Sequence, residues 1–208
     1  MNQAPPGRLR SVITYLEMHA PPWDEGQPLD PQPPVAGVAI EALPDVSVAD
    51  YRAFYRQVGE PWLWCERLTM ADADFAALLA NPRVEVRRLS VDGRFTGYSE
   101  LDRRQPGEVE IVYFGLVPDV IGMGLGRFFL HRTLIDAWAS QPRRVWLHTC
   151  TEDHPGALVF YEDAGFRRFR SETVEIEDPR LTGLLPRDAA PHIPLDADDR
   201  DPVITGGR

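Results

Sequence analysis

The sequence predicts a mixed α/β (α+β) domain: a central sheet, mostly antiparallel, that contains one parallel βαβ unit and carries helices on both faces. Three observations carry this expectation. Residues 84–101 form two apolar, β-branched runs joined by Asp92-Gly93, a pair suited to the left-handed positions of a tight hairpin turn. Residues 109–150 then read as strand, glycine-rich turn, helix and strand, and a helix placed between two neighbouring strands makes them parallel. Most of the 20 prolines lie before residue 35 or beyond residue 178, which leaves the middle of the chain as the folded body.

Taken in order, LRSVITYLEM (residues 9–18) has the β-branched and aromatic content of a strand, and APPWDEGQPLDPQPP after it reads as a loop. Residues 1–34 are thus a strand and a proline-rich arm. Residues 35–43 suggest a second strand. Residues 48–58 set apolar and aromatic side chains at helical spacing behind Ser47 or Asp50 as a cap. Residues 69–79 repeat that signature, with Asp72 and Asp74 where carboxylates suit a helix N-terminus. The hairpin strands are expected at 84–91 and 95–101, followed by a strand at 109–117. The helix after the glycine turn runs to Trp138, with Leu125, Phe128, Phe129, Ile135 and Trp138 near one face. A strand at 144–150, a helix at 155–164 opened by Pro155 and stopped at Gly165, and a strand at 166–176 complete a body of residues 35–177, joined by the strand at 9–18. Residues 178–208, with their DADDRD run, are expected to be disordered.

Composition narrows the classes. With 208 residues, 43% hydrophobic, the chain suits one well-buried domain and is no disordered polymer. A net charge of -10 disfavours nucleic acid and anionic membrane surfaces as partners. Cys65 and Cys150 are too few for a disulfide framework. MNQAPPGRLR opens no secretory signal, and no run approaches the roughly 18 apolar residues of a spanning helix. A cytoplasmic protein is expected.

The stretch EIVYFGLVPDVIGMGLGRFF (residues 110–129) carries the chemistry. Gly122, Gly124 and Gly126 let backbone approach an anion, and the helix that follows offers unpaired N–H groups and the positive end of its dipole. GMGLGR lacks the Gly-Lys-Ser/Thr ending of a Walker loop and the GxGxxG spacing of a dinucleotide fingerprint. The bland alternative is tight strand-to-helix packing.

GLVPDVIGMGLGRFFL followed by HPGALVFYEDAGF resembles the GCN5-related N-acetyltransferase (GNAT) family, whose loop has the form Q/R-x-x-G-x-G/A and whose later helix reads N-x-x-A-x-x-x-Y-x-x-x-G-F. Gly124 and Gly126 match the loop; Ala157, Tyr161, Gly165 and Phe166 match the helix. The likeness is good over residues 84–176. It departs at Ile121, where Gln or Arg is usual, and at His154, where Asn is usual; Arg127 is a compensating cation.

The resemblance implies the acyl-CoA N-acyltransferase fold and a cytoplasmic acetyl-CoA-dependent N-acetyltransferase acting by direct attack of a primary amine in a ternary complex. The alternative is a noncatalytic coenzyme-A-binding or regulatory module. It also implies that Leu116 and Val117 present backbone to the pantetheine arm, and that Gly122, Met123, Gly124, Leu125, Gly126, Arg127 and His154 surround the rest of acetyl-CoA. Tyr161 is then the proton donor to the leaving thiolate and Glu110 the base, with a core aromatic and a solvated strand charge as their bland readings.

Between the two early helices, GEPWLWCER (residues 59–67) supplies Trp62, Trp64 and Glu66, an aromatic and acidic wall suited to an ammonium group, with His148 an auxiliary. The alternation also fits a packed strand. His148, Cys150 and His154 in HTCTEDH are three possible metal ligands, but no second Cys/His pair completes a tetrahedral site, and no metal is expected. The partner is a small-molecule or peptide amine, and the chain a monomer or homodimer.

Overall fold

The structure is a computed structural model that describes residues 7–23 and 31–195. The DADDRD run and residues 24–30 of the proline-rich arm lie outside the described residues. The strands are β1 (Arg8–Met18), β2 (Val38–Ala42), β3 (Val84–Val91), β4 (Arg94–Asp102), β5 (Glu108–Leu116), β6 (Arg144–Cys150) and β7 (Arg167–Glu177). They form one sheet of seven in the order β2-β3-β4-β5-β6-β1-β7. Only β5 and β6 are parallel; every other neighbouring pair is antiparallel.

The local chemistry of the sequence accounts for most of these elements. Asp92 and Gly93 take φ of 49° and 78°, the left-handed pair that turns β3 into β4. The Ser47 hydroxyl accepts from the Asp50 N–H at 3.0 Å and caps α1 (Val48–Gly59). α1 and α3 (Asp72–Leu79) bury Tyr51, Tyr55, Val58 and Phe75 against Val86, Tyr98 and Tyr113 on one face of the sheet. α4 (Leu125–Trp138) and α5 (Ala157–Asp163) cover the other, packing Leu130, Leu134, Ala137 and Tyr161 on Leu101, Ile111, Val145 and Leu147. Helices on both faces of a mostly antiparallel sheet match the expected class.

Three features differ from the expectation, and the place of β1, which it left open, is settled. The buried side of α4 is Leu125, Phe129, Leu130, Thr133, Leu134 and Ala137; Phe128, Ile135 and Trp138 lie toward its flanks. Residues 60–64 are not a strand, because Pro61 nucleates a 3-10 turn (Glu60–Trp62), Leu63 is left-handed at φ 57°, and a short α2 (Glu66–Thr69) follows. β1 sits between β6 and β7, its Ile13 opposite Cys150 on one side and Glu172 on the other. Residues 178–195 are packed rather than disordered: Leu185, Ala189 and Ala190 bury themselves against Leu63.

Gly115 sets the spacing between α1 and the sheet, and Gly97 the close approach of β4 to β5. A Cβ on Gly115 would stand 2.4 Å from Cγ1 of Val58, and one on Gly97 would stand 2.5 Å from the Gly115 carbonyl. Neither position has room for a side chain.

Candidate active site

The site begins where the parallel pair ends. β5 and β6 pair only at Glu108–Arg144, Val109–Val145 and Glu110–Trp146, after which the rest of β5 holds to β4 and the rest of β6 holds to β1. On β5 the divergence coincides with a bulge: Leu101 faces Ile111 and Glu100 faces Tyr113, so Val112 is an extra residue. The bulge turns Ile111 toward α4 and α5 and Tyr113 toward α1. A cavity of about 700 Å³ occupies the gap, with Ile111 to Leu116 on one wall and His148 and Cys150 on the other.

One end of the cavity is the glycine turn. Gly122 and Gly124 take φ of 89° and 82°, which glycine alone adopts without strain, and Gly124 opens α4. A Cβ on Gly122 would meet nothing within 4 Å, so conformation rather than space demands the glycine there. The first turn of α4 contains no acidic residue and no side-chain cap, and its leading N–H groups have no intrahelical acceptor. Arg127, exposed, adds a cation at this end. An anionic group suits these donors.

Tyr161 forms part of the wall beneath α5, its ring edge-on to Phe114, Phe160 and Phe166. Its hydroxyl makes no hydrogen bond among the described residues. Burial, and secondarily the Asp153 carboxylate, push the phenol pKa well above its ordinary value, so it holds its proton at neutral pH. Burial and the carboxylates of Asp153 and Glu152 likewise push the Cys150 thiol up, which makes it a poor nucleophile.

His148 and Cys150 alternate with the buried Leu147 and Thr149 and so point to the opposite face of the sheet from α5. There Nδ1 of His148 lies 3.7 Å from Oε1 of Glu110, an ion-pair distance too long for a hydrogen bond. That carboxylate raises the imidazole pKa, against burial that lowers it. On the same side, Trp64 donates from Nε1 to Asp153 at 2.8 Å, and Tyr113 donates to Glu66 at 2.7 Å. Glu152 accepts from the hydroxyls of Ser11 and Thr151. Glu66, Glu152 and Asp153 all line the cavity, and none forms a salt bridge among the described residues.

With this geometry the chain matches the family model described as Acetyltransferase (GNAT) family over residues 47–166. The chain belongs to the GNAT acetyltransferase family. Solved GNAT-like structures agree in fold: a GCN5-related N-acetyltransferase from Sphaerobacter thermophilus (18% identity, TM-score 0.55, covering 83% of this chain and 52% of that one) and another from Kribbella flavida (17%, 0.52, 85% and 63%). An aminoglycoside acetyltransferase from an uncultured soil metagenomic sample is also similar (15%, TM-score 0.50, 62% and 88%). The chain spans about half to two thirds of the length of the first two. At such identities the likeness establishes the fold. No curated protein matches the chain.

Within this GNAT domain, the cavity gathers most of the residues singled out from sequence. Trp62, Trp64 and Glu66 line it, as do Leu116, Gly122, Gly124 and Gly126. Arg127, His148, His154 and Tyr161 complete that set. Four stand apart. Leu125 and Val117 turn their side chains into the core, Met123 is half exposed at the turn, and Glu110 stands behind His148. His148, Cys150 and His154 do not gather: no group of three or more His, Cys, Asp or Glu among the described residues is placed to hold a metal ion. No helix among them is long and apolar enough to cross a membrane.

Sequence reasoning missed Asp153, Glu152, Ser11 and Tyr113. Asp153 also accepts from Thr149 Oγ1 at 2.7 Å and the Cys150 N–H at 2.9 Å, locking the end of β6 to the turn before α5. The acidic pair in TCTEDH was the available signal. Ser11 reaches the cavity only because β1 lies beside β6.

Proposed function

We propose that the protein is an acetyl-CoA-dependent N-acetyltransferase that acetylates a primary amine by direct attack in a ternary complex. The observation that carries this reading is one cavity lined by the glycine turn, by the carboxylates of Glu66, Glu152 and Asp153, which have no cationic partner among the described residues, and by Tyr161, whose hydroxyl has no partner among them. The donor supplies the thioester.

The N-terminus of α4, Gly122, Gly124 and Arg127 would hold the pyrophosphate, and the end of β5 at Leu116, beyond its last pair with β6, would take a pantetheine amide; Val117, past the strand, donates its N–H to the Thr96 carbonyl and accepts from the Val120 N–H. Tyr161, kept protonated by burial, donates to the departing thiolate. On the opposite face His148, with Glu110 behind it, takes the proton of the incoming ammonium. Trp62, Trp64, Glu66, Glu152 and Asp153 favour a cationic acceptor, a small molecule or a peptide amine.

A thiol-release assay with acetyl-CoA across amino acids, polyamines, aminoglycosides and peptides tests the reading. Release dependent on a cationic amine is expected. Thermal stabilisation by acetyl-CoA without release on any amine would favour a noncatalytic coenzyme-binding module instead, and neither effect would sink both.

A further inference from the structure

The segment that follows β7 is built around one guanidinium. Arg180, 3% exposed, donates from Nε to Oδ1 of Asp178 at 3.0 Å and from Nη2 to Oδ2 at 2.7 Å, a bidentate pair whose carboxylate is itself buried. Its remaining donors reach the carbonyls of Ala189, Ile193 and Pro194, at 3.3, 2.8 and 3.2 Å. A buried, fully engaged arginine of this kind closes residues 178–194 into a fixed loop. Fixing so many residues carries a large entropic cost, about 1–2 kcal/mol each for backbone alone, which contacts elsewhere must offset.

Those contacts fall on the turn that bears the acceptor wall. Leu185, Ala189 and Ala190 enclose Leu63, with Leu68 and Ile193 at the margin. Leu63 is the left-handed residue between Trp62 and Trp64, so gripping it from outside fixes the directions in which the two indoles leave the turn. The same loop brings the His192 ring to 5.3 Å from the ring of Trp62, which also meets His154 at 5.4 Å; both pairs are edge-on. Trp62 and His154 line the cavity.

We propose that residues 178–195 form the outer wall of the acceptor end, with Arg180 and His192 as positioning residues that set Trp62 for acceptor binding. This rests on the reading of the Trp62 side as the acceptor side. It gives the carboxyl-terminal segment a role in specificity for the amine rather than in holding the donor's pyrophosphate, which the glycine turn would take.

The test uses the full chain. In His192→Ala the KM for the amine rises by about 3- to 10-fold, the range a single ring pair supports, while the KM for acetyl-CoA and kcat hold; His192→Phe restores the wild-type KM. Independently of turnover, hydrogen exchange at residues 62–68 quickens by about tenfold in Arg180→Gln while exchange in α4 is unchanged. An unaltered amine KM in His192→Ala, or equal shifts in both KM values, overturns the proposal, as does unaltered exchange at 62–68 in a folded Arg180→Gln. If Arg180→Gln does not fold, exchange at 62–68 in His192→Ala decides in its place. If the wild type acetylates no amine, the functional reading fails, and the wall stands or falls on exchange alone.

Discussion

Nδ1 of His148, two residues beyond the last parallel pair of β5 and β6, stands 3.7 Å from Oε1 of Glu110, which belongs to that pair. The carboxylate keeps the imidazole protonated to higher pH than a free histidine. A base must be neutral to act, so activity should rise as pH passes this raised value. Glu110→Gln removes the cause and moves the acid limb of the kcat/KM profile to lower pH. The stability counterpart has the matching sign: the pair's contribution is complete below the ordinary histidine pKa of about 6.5 and fades as pH climbs through the raised one. An NMR titration of His148 in both proteins checks the first shift, and an unchanged pH profile would remove Glu110 from the base.

Tyr161→Phe deletes one hydroxyl that has no partner among the described residues, so the fold should not notice. Turnover should fall by about 10²–10⁴, the span of a general acid, with the KM for acetyl-CoA nearly constant. Steady-state kinetics beside a melting curve separate the two effects; equal turnover would return Tyr161 to the role of a core aromatic.

Gly122→Ala adds a methyl group that meets no atom, yet forces a β-carbon into φ 89°. The expected cost is about 1 kcal/mol or more in stability or in the population of the binding-competent turn. Calorimetric titration with coenzyme A should therefore weaken more than the amine KM changes.

Gly115→Ala tests the packing of α1. Its Cβ would lie 2.4 Å from Cγ1 of Val58, and overpacking of this kind costs about 1–3 kcal/mol. Val58→Ala alone should also destabilise, by leaving a void, but in the double variant the two losses should not add. Urea denaturation of all four proteins gives the coupling; simple additivity would mean that the helix shifts freely.

Local chemistry made much of this legible. Asp92-Gly93, Ser47 and the Gly122–Gly124 turn act through their own backbone geometry, and each does in the fold what its residue type dictates. What escaped depends on distant partners. Trp62 and Trp64 alternate as a strand would, and only Pro61 and the burial of Leu63 under Leu185 decide for a turn. Residues 178–195 look like solvent-bound tail because their order comes from one arginine satisfying carbonyls that have no periodicity to read. The aromatic and acidic lining of the cavity was visible in Trp62, Trp64 and Glu66, but Ser11 was not. Nothing in LRSVITYLEM says which strands it will join.

That strand has one more consequence. β1 leaves the ribosome ahead of both neighbours, and Leu16 and Met18, which end up in the main core, have no sheet to enter until β6 and then β7 are made. Pairing the first strand with the last two is the most non-local contact in the sheet, and it closes the longest loops of the chain, which slows folding. Ser11 and Ile13 of that strand line the cavity, so the site is complete only once this long-range pairing is made.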